Sequence, residues 1–168
     1  MNKIVIILLM SVCMAACGSK NKNAEALKPE SKQSSSLDKD YSWLMDKTVS
    51  SADSIIDYHP EVYGLYLFTG QDCNSCVNAG FYVSKKIDSL CGQRTVYAVA
   101  SAANLSMYQR ENEYYEYVYT DDGNKIRKEL KYLPTPVLLL MEGNKVKDVF
   151  FPRDTNPANY RDFVAKFK

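Results

Sequence analysis

Two cysteines separated by two residues, Cys73 and Cys76, have the spacing of a redox-active dithiol. The apolar run before them, 62–68, favours a strand, and the apolar positions after them, within 77–91, recur at helical spacing. Free backbone N–H groups and the dipole at a helix N-terminus stabilise a thiolate, which is the reactive form of cysteine. One helical turn lets Cys76 reach back and resolve a mixed disulfide on Cys73. The sequence therefore predicts a redox site where the strand passes into the helix.

Cysteine pairs of this spacing also occur in metal sites and in structural disulfides that do not turn over. A zinc site needs two further ligands, and the chain without its leader offers only His59, Cys91 and Cys17, none in paired spacing. We therefore expect neither a metal nor a cofactor. The strand–loop–helix context favours redox chemistry, and a structural Cys73–Cys76 disulfide is the alternative.

The N-terminus has the features of an export signal. Residues 1–16 combine a basic start with a short apolar region, as in a signal peptide, and are too short to span a membrane as a helix. They end in Ala15-Ala16 before Cys17, which resembles the lipobox of bacterial lipoproteins and implies that Cys17 is lipidated. Met14 stands where the lipobox usually has Leu, so ordinary signal cleavage is the alternative.

A polar segment separates this signal from the remainder of the chain. Residues 17–37 contain no aromatic residue and are rich in Lys, Ser and Asn, so they cannot bury enough apolar surface to fold. We interpret them as a lipidated N-terminus with a flexible tether that reaches roughly 25 Å. Residues 38–168 have the size of one domain with its own core. The formal net charge of +1, without a long basic run, gives no indication of nucleic-acid binding.

The apolar pattern of the domain predicts alternating strands and helices. Ser51 is placed to cap a helix that ends at about Tyr58. The continuous apolar run at 95–101 is typical of a central parallel strand, and 105–119 fits a helix or, toward its end, a strand. The remaining predictions are a short helix carrying Ile126, Leu130 and Leu133, a strand led by Pro136, a tight turn at 142–144, an edge strand at 145–151 and a helix at 156–168.

This order of elements resembles the thioredoxin fold, an α/β three-layer fold with a central mixed sheet flanked by helices. The resemblance covers most of 61–168 and rests on Cys73-Asn74-Ser75-Cys76 and on Thr135-Pro136, which is placed like that family's cis-proline. It implies that Cys73 is the exposed nucleophile and that Cys76 resolves. It also implies that the loop of Thr135 and Pro136 lies against the cysteines and holds the substrate backbone.

With its signal and tether, the chain resembles the exported thioredoxin-like lipoproteins of Gram-negative bacteria. The resemblance implies a thiol–disulfide oxidoreductase of the cell envelope, held to a membrane by its lipid and acting on protein or small-molecule thiols and disulfides. The alternative is a non-catalytic accessory or binding lipoprotein whose cysteine pair is a structural disulfide.

Three features depart from the family pattern. Asp72 stands where a Trp usually precedes the first cysteine, and a carboxylate there opposes thiolate formation. Leu67 stands where the family has a buried acid, and 105–123 is longer than in the simplest members. Separately, we expect Cys91 to be a free, mostly buried thiol, because four helical turns place it roughly 22–27 Å from Cys73.

Overall fold

The computed structural model describes residues 40–101, 103, 105–114 and 118–168 of this chain. The predicted signal peptide, Cys17 and the tether lie outside the described residues. No helix in the described part is both long enough and apolar enough to cross a membrane.

A five-stranded mixed sheet forms the middle of the structure. Its spatial order is β3-β2-β1-β4-β5. β1 pairs in parallel with β2 and antiparallel with β4, β2 pairs in parallel with β3, and β4 pairs antiparallel with β5. The strands are β1 (Val62–Thr69), β2 (Val96–Ser101), β3 (Val118–Thr120), β4 (Val137–Glu142) and β5 (Lys145–Phe150). The predicted mixed sheet, the central strand and the antiparallel edge hairpin are confirmed.

Helices cover both faces of the sheet, as the three-layer prediction requires. They are α1 (Ala52–Ile55), α2 (Asn74–Cys91), α3 (Leu105–Asn112), α4 (Lys125–Glu129) and α5 (Pro157–Val164). One apolar core joins α2, α3 and α5 to the sheet through aromatic side chains such as Phe68, Phe81 and Phe163. The other joins α1, α4 and the segment before α1 to the opposite face. β1 is buried on both faces because it lies between the two cores.

The structure corrects the prediction for Ser51. Its side chain makes no capping bond, and α1 ends at Ile55 instead of continuing to Tyr58. The Ser51 hydroxyl donates instead to Oε1 of Glu129 at 2.9 Å. This long-range bond joins α1 to the end of α4, so a residue with the local pattern of a cap connects two distant segments.

The ambiguous stretch 105–119 divides between the two predicted structures. Its first part is the helix α3, its end enters the strand β3 at Val118, and 115–117 lie outside the described residues. The predicted helix end at Cys91-Gly92 is confirmed, because Gly92 adopts the left-handed conformation with φ 66°. Cys91 is free, as predicted, but it is partly buried and not mostly buried. Its Sγ lies 3.5 Å from the carbonyl oxygen of Phe167.

Candidate functional site

The cysteine pair lies at the N-terminus of α2, where it forms a disulfide. The Cα atoms of Cys73 and Cys76 are 5.2 Å apart. Cys73 is exposed, Cys76 is partly buried, and Cys73 occupies the N-cap position of α2. The Cys76 N–H donates to Cys73 Sγ at 3.3 Å, and the Ser75 hydroxyl donates to the same sulfur at 3.1 Å. Both donors would stabilise a thiolate on Cys73 after reduction, and Cys73 is the more exposed of the two cysteines.

A buried tyrosine anchors the start of α2 to the sheet. Tyr66, on β1, donates its hydroxyl to the carbonyl oxygen of Val77 at 2.9 Å. Burial raises the pKa of Tyr66 well above its usual range, and the nearby charge of Asp72 raises it further, so the hydroxyl remains protonated. Gly80 makes this contact possible, because a Cβ at that position would overlap the ring of Tyr66. This contact therefore holds the first turn of α2, which carries the cysteines, against β1.

The predicted substrate loop lies beside the cysteine loop. The peptide bond between Thr135 and Pro136 is cis, as the resemblance implied. Pro136 is buried and Thr135 is partly exposed. The Thr135 hydroxyl donates to Oδ1 of Asp72, the residue before Cys73, at 2.9 Å. The structure thus brings the cysteine loop and the proline loop together, although the two are far apart in the sequence. Cys17 lies outside the described residues.

Asp72 is a site residue whose positioning role the sequence reasoning missed. Its second oxygen, Oδ2, accepts the backbone N–H of Thr69 at 2.7 Å. One carboxylate therefore joins the end of β1, the cysteine loop and the proline loop. Asp in a loop commonly accepts nearby backbone N–H groups, and this is the signal that could have indicated the first bond. The bond to Thr135 has no local signal.

Two cavities of similar volume flank the cysteine pair. The Arg127 cavity, about 440 Å³, has a lining that includes Thr69, Asp72, Ser101, Asn124, Arg127 and Thr135. The Tyr82 cavity, about 410 Å³, has a lining that includes Ser75, Asn78, Tyr82, Lys85, Glu111 and Asn112. The first borders the residue before Cys73, and the second borders the residue two positions after it.

The other residues considered as metal ligands lie away from this pair. The ring of His59 stacks on Tyr63 with 4.1 Å between ring centres, and its Nε2 lies 3.1 Å from a carboxylate oxygen of Asp53. Within the residues that the structure describes, no three His, Cys, Asp or Glu side chains are grouped so that they could hold a metal ion.

Comparison with solved structures shows which fold this is. The structure of a secreted Mycobacterium tuberculosis disulfide oxidoreductase, homologous to Escherichia coli DsbE, is similar with a TM-score of 0.53 and 13% sequence identity, over 73% of this chain and 94% of that one. Mycobacterium tuberculosis DsbF is similar with a TM-score of 0.51 and 11% identity, over 74% and 94% of the two chains. No protein-family model matches the sequence, and no curated protein gives a significant match.

Proposed function

Given that this chain has the thioredoxin-like fold, we propose that it is a thiol–disulfide oxidoreductase whose active couple is Cys73 and Cys76. The observation that carries the proposal is the position of the disulfide. It lies at a helix N-terminus with Cys73 exposed, and its loop is hydrogen-bonded through Asp72 to the cis-proline loop. A disulfide that served only stability would not need an exposed sulfur beside a second loop and two cavities.

The geometry supports a two-step exchange. In the reduced protein the Cys73 thiolate attacks one sulfur of a substrate disulfide, and the other substrate sulfur leaves as a thiolate. Cys76 then attacks Cys73 Sγ, which releases the second substrate thiolate and regenerates the disulfide seen in this structure. Two electrons pass from the protein dithiol to the substrate, and the two protons of the dithiol end on the products. The reverse sequence oxidises a substrate dithiol through the same mixed disulfide.

The proline loop is proposed to hold the substrate during this exchange. Thr135 and Pro136 come immediately before β4, and the bond from Thr135 to Asp72 keeps them next to the cysteine loop. An extended substrate segment laid against this loop would place its sulfur near Cys73. Partners of this kind are protein or small-molecule thiols and disulfides.

Trapping of the mixed disulfide tests this function. Cys76→Ser removes the resolving sulfur, so it should accumulate covalent, reductant-sensitive adducts through Cys73. Cys73→Ser is the matched control, since it keeps Cys76 and the free thiol Cys91 but should form no adducts. A structural disulfide predicts a different result, in which both variants lose similar stability and neither captures a partner. That result would refute the oxidoreductase function.

We further propose that the protein is anchored to a membrane of the cell envelope through a lipidated Cys17. The support is the sequence Ala15-Ala16-Cys17 and the polar stretch after it. A diacylglyceryl group plus an amide-linked chain exceeds the two signals that stable anchoring needs. Cys17→Ala should therefore move the protein to the soluble fraction, whereas Cys13→Ala, inside the signal, should leave it on the membrane. A wild-type protein that is soluble and carries no lipid by mass spectrometry would contradict this.

A further inference from the structure

The Arg127 cavity contains polar atoms that the protein itself leaves without partners. Nε of Arg127 and Oδ1 of Asn124 are buried, and neither has a hydrogen-bond partner in the structure as described. Both residues line the cavity that also reaches Asp72 and Thr135. Buried polar groups are nearly always hydrogen-bonded, because an unpaired one costs about 1–3 kcal/mol, and more when it is charged. Two residues that line the cavity therefore each have hydrogen-bonding capacity that the described protein does not use.

The charge of Arg127 is not balanced by a neighbouring carboxylate. None of the ion pairs formed among the described residues includes Arg127. Asp72 lines the same cavity, where its two oxygens accept bonds from the Thr69 N–H and the Thr135 hydroxyl, and it forms no ion pair with Arg127. The Arg127 guanidinium therefore has no carboxylate within ion-pair distance among the described residues.

The backbone fixes Arg127 relative to the proline loop. Its carbonyl oxygen accepts the N–H of Tyr132 at 2.7 Å, and its guanidinium lies 5.7 Å from the centre of the Tyr132 ring. Lys131 and Tyr132 both adopt left-handed backbone conformations, with φ 50° and 53°. Non-glycine residues rarely occupy this region, and they persist there when the surrounding structure enforces it. The short turn from Arg127 to Thr135 therefore holds the backbone of Arg127 in a defined position beside the candidate site.

The start of the helix that carries Arg127 is fixed as well. The buried carboxylate of Asp121 accepts the backbone N–H groups of Lys125 and Ile126 at 2.8 and 2.9 Å. The Asp121 N–H donates to the carbonyl oxygen of Ala100, on β2. The backbone that carries Arg127 is thus tied to the sheet as well as to the proline loop, so the freedom left to be lost when a ligand binds is that of the side chain.

We propose that the Arg127 cavity binds a carboxylate carried by the thiol or disulfide substrate close to its sulfur. This inference rests on the proposed function and adds a substrate class to it. The guanidinium matches a carboxylate with two parallel N–H donors. A half-turn of the Asn124 amide brings its NH₂ group toward the same anion as a further donor. The cavity adjoins the loop of Cys73, so a bound carboxylate would hold the substrate sulfur next to the nucleophile.

Reduction of small disulfides by the reduced protein tests this preference. The acidic probes are dithiodiglycolate, dithiodipropionate and dithiodibutyrate, which vary the distance from sulfur to carboxylate. Hydroxyethyl disulfide is the neutral probe and cystamine the cationic one. Each turnover converts one probe molecule to two thiols while the Cys73–Cys76 dithiol becomes the disulfide, so the probe is the oxidant. Each rate is divided by the rate of the same probe with dithiothreitol, which corrects for intrinsic reactivity.

We expect at least one acidic probe to react faster than the neutral probe, and the cationic probe to react slowest. Arg127→Gln should lower the acidic-to-neutral ratio about tenfold, because a charged hydrogen bond contributes about 1.5–3 kcal/mol and 1.4 kcal/mol is a factor of ten. Arg127→Lys should retain part of the preference. Two controls remove one cation elsewhere, Lys128→Gln on the same helix and Lys85→Gln in the Tyr82 cavity, and both should keep the ratio.

The outcomes separate this inference from the proposed function. If the wild type reduces the neutral probe without preferring any acidic one, or if Arg127→Gln keeps the preference, the cavity holds water only and the inference is wrong. If the wild type reduces no probe, the oxidoreductase function fails. Binding of thiodipropionate, a thioether that cannot exchange, then tests separately whether the Arg127 cavity binds a carboxylate. Binding to the wild type but not to Arg127→Gln supports the carboxylate site, and equal or absent binding overturns it.

Discussion

The two cavities beside Cys73 have nearly the same volume but differ in how their polar groups are satisfied. In the Tyr82 cavity the Asn112 amide donates to Asn78 Oδ1 and to the carbonyl oxygen of Tyr108, both at 3.1 Å. In the Arg127 cavity a guanidinium nitrogen and an amide oxygen are buried without partners. Volume therefore does not distinguish the two cavities, whereas the buried polar atoms without partners do.

Each cavity also contributes one residue that affects the stability of the Cys73 thiolate, and the two effects have opposite sign. The Arg127 cavity contributes Asp72, a carboxylate next to Cys73, and the Tyr82 cavity contributes Ser75, whose hydroxyl donates to Cys73 Sγ. A carboxylate opposes the thiolate and a hydroxyl donor favours it. The reactivity of Cys73 is thus expected to depend on the balance between one residue from each side.

The largest effect is expected on stability, from a change that disturbs the packing of α2, the helix that carries the cysteine pair, against Tyr66. Gly80→Ala places a methyl group into the Tyr66 ring, and overpacking of this kind costs about 1–3 kcal/mol. Helix propensity alone predicts that the same change raises the free energy of unfolding by about 0.8–1.0 kcal/mol. The sign of the measured change therefore shows which effect is larger. Urea unfolding of the oxidised protein measures the free energy of unfolding.

A glycine in a loop provides the control for this prediction. At Gly123 an added Cβ meets the Lys125 side chain at 3.4 Å, which is an ordinary contact. Gly123→Ala should therefore change stability by less than about 0.5 kcal/mol. A Gly80→Ala protein as stable as the wild type would mean that α2 does not depend on the Tyr66 contact.

The next largest effect is expected on the reactivity of Cys73, from a change at Asp72 in the Arg127 cavity. Asp72→Asn removes the negative charge beside Cys73, and two unit charges about 4 Å apart in water interact by about 1 kcal/mol. We expect the midpoint pH for alkylation of Cys73 in the reduced protein to fall by about 0.7 unit. Rates of iodoacetamide modification across pH, followed by peptide mass spectrometry, measure this shift. An unchanged or higher midpoint would show that Asp72 acts on Cys73 only by positioning the loop.

The smallest effect is expected on the same reactivity, from a change at Ser75 in the Tyr82 cavity. Ser75→Ala removes the hydroxyl that lies 3.1 Å from Cys73 Sγ. At the lower end of about 0.5 kcal/mol for one hydrogen bond, the same midpoint should rise by about 0.4 unit. Ser75→Thr keeps a hydroxyl and should restore most of the wild-type value. If Ser75→Ala lowers the midpoint, the two cavities do not oppose each other at this sulfur.

The sequence predicted the long elements and the cysteine pair, but it placed the ends of the short helices wrongly. β1 and α2 carry continuous or clearly periodic apolar patterns, and such patterns are specific when they are long. α1 and α4 are only four and five residues long. Helices of that length owe their stability to tertiary packing and leave little periodicity to detect. The wrong helix end predicted for the Ser51 segment has this cause.

The residues around the candidate site were harder to predict than the cysteine pair itself. Cys73-Asn74-Ser75-Cys76 is a local motif, so it could be identified without a structure. The bond from Thr135 to Asp72 joins residues 63 positions apart. Arg127 and Asn124 belong to no motif, and they lie by the site only because the turn before Thr135 folds back. Long-range placement of this kind follows from the packed sheet and leaves no trace in local spacing.

The reduction potential of the Cys73–Cys76 couple tests the central claim most directly. The protein is equilibrated in glutathione buffers of stepwise potential, free thiols are blocked, and the oxidised fraction of this pair is measured by mass spectrometry. Working couples lie between roughly −270 and −120 mV, and structural disulfides of secreted proteins lie below about −300 mV. An oxidoreductase predicts a midpoint within the working range. A midpoint below about −300 mV, without any trapped mixed disulfide in Cys76→Ser, would contradict it.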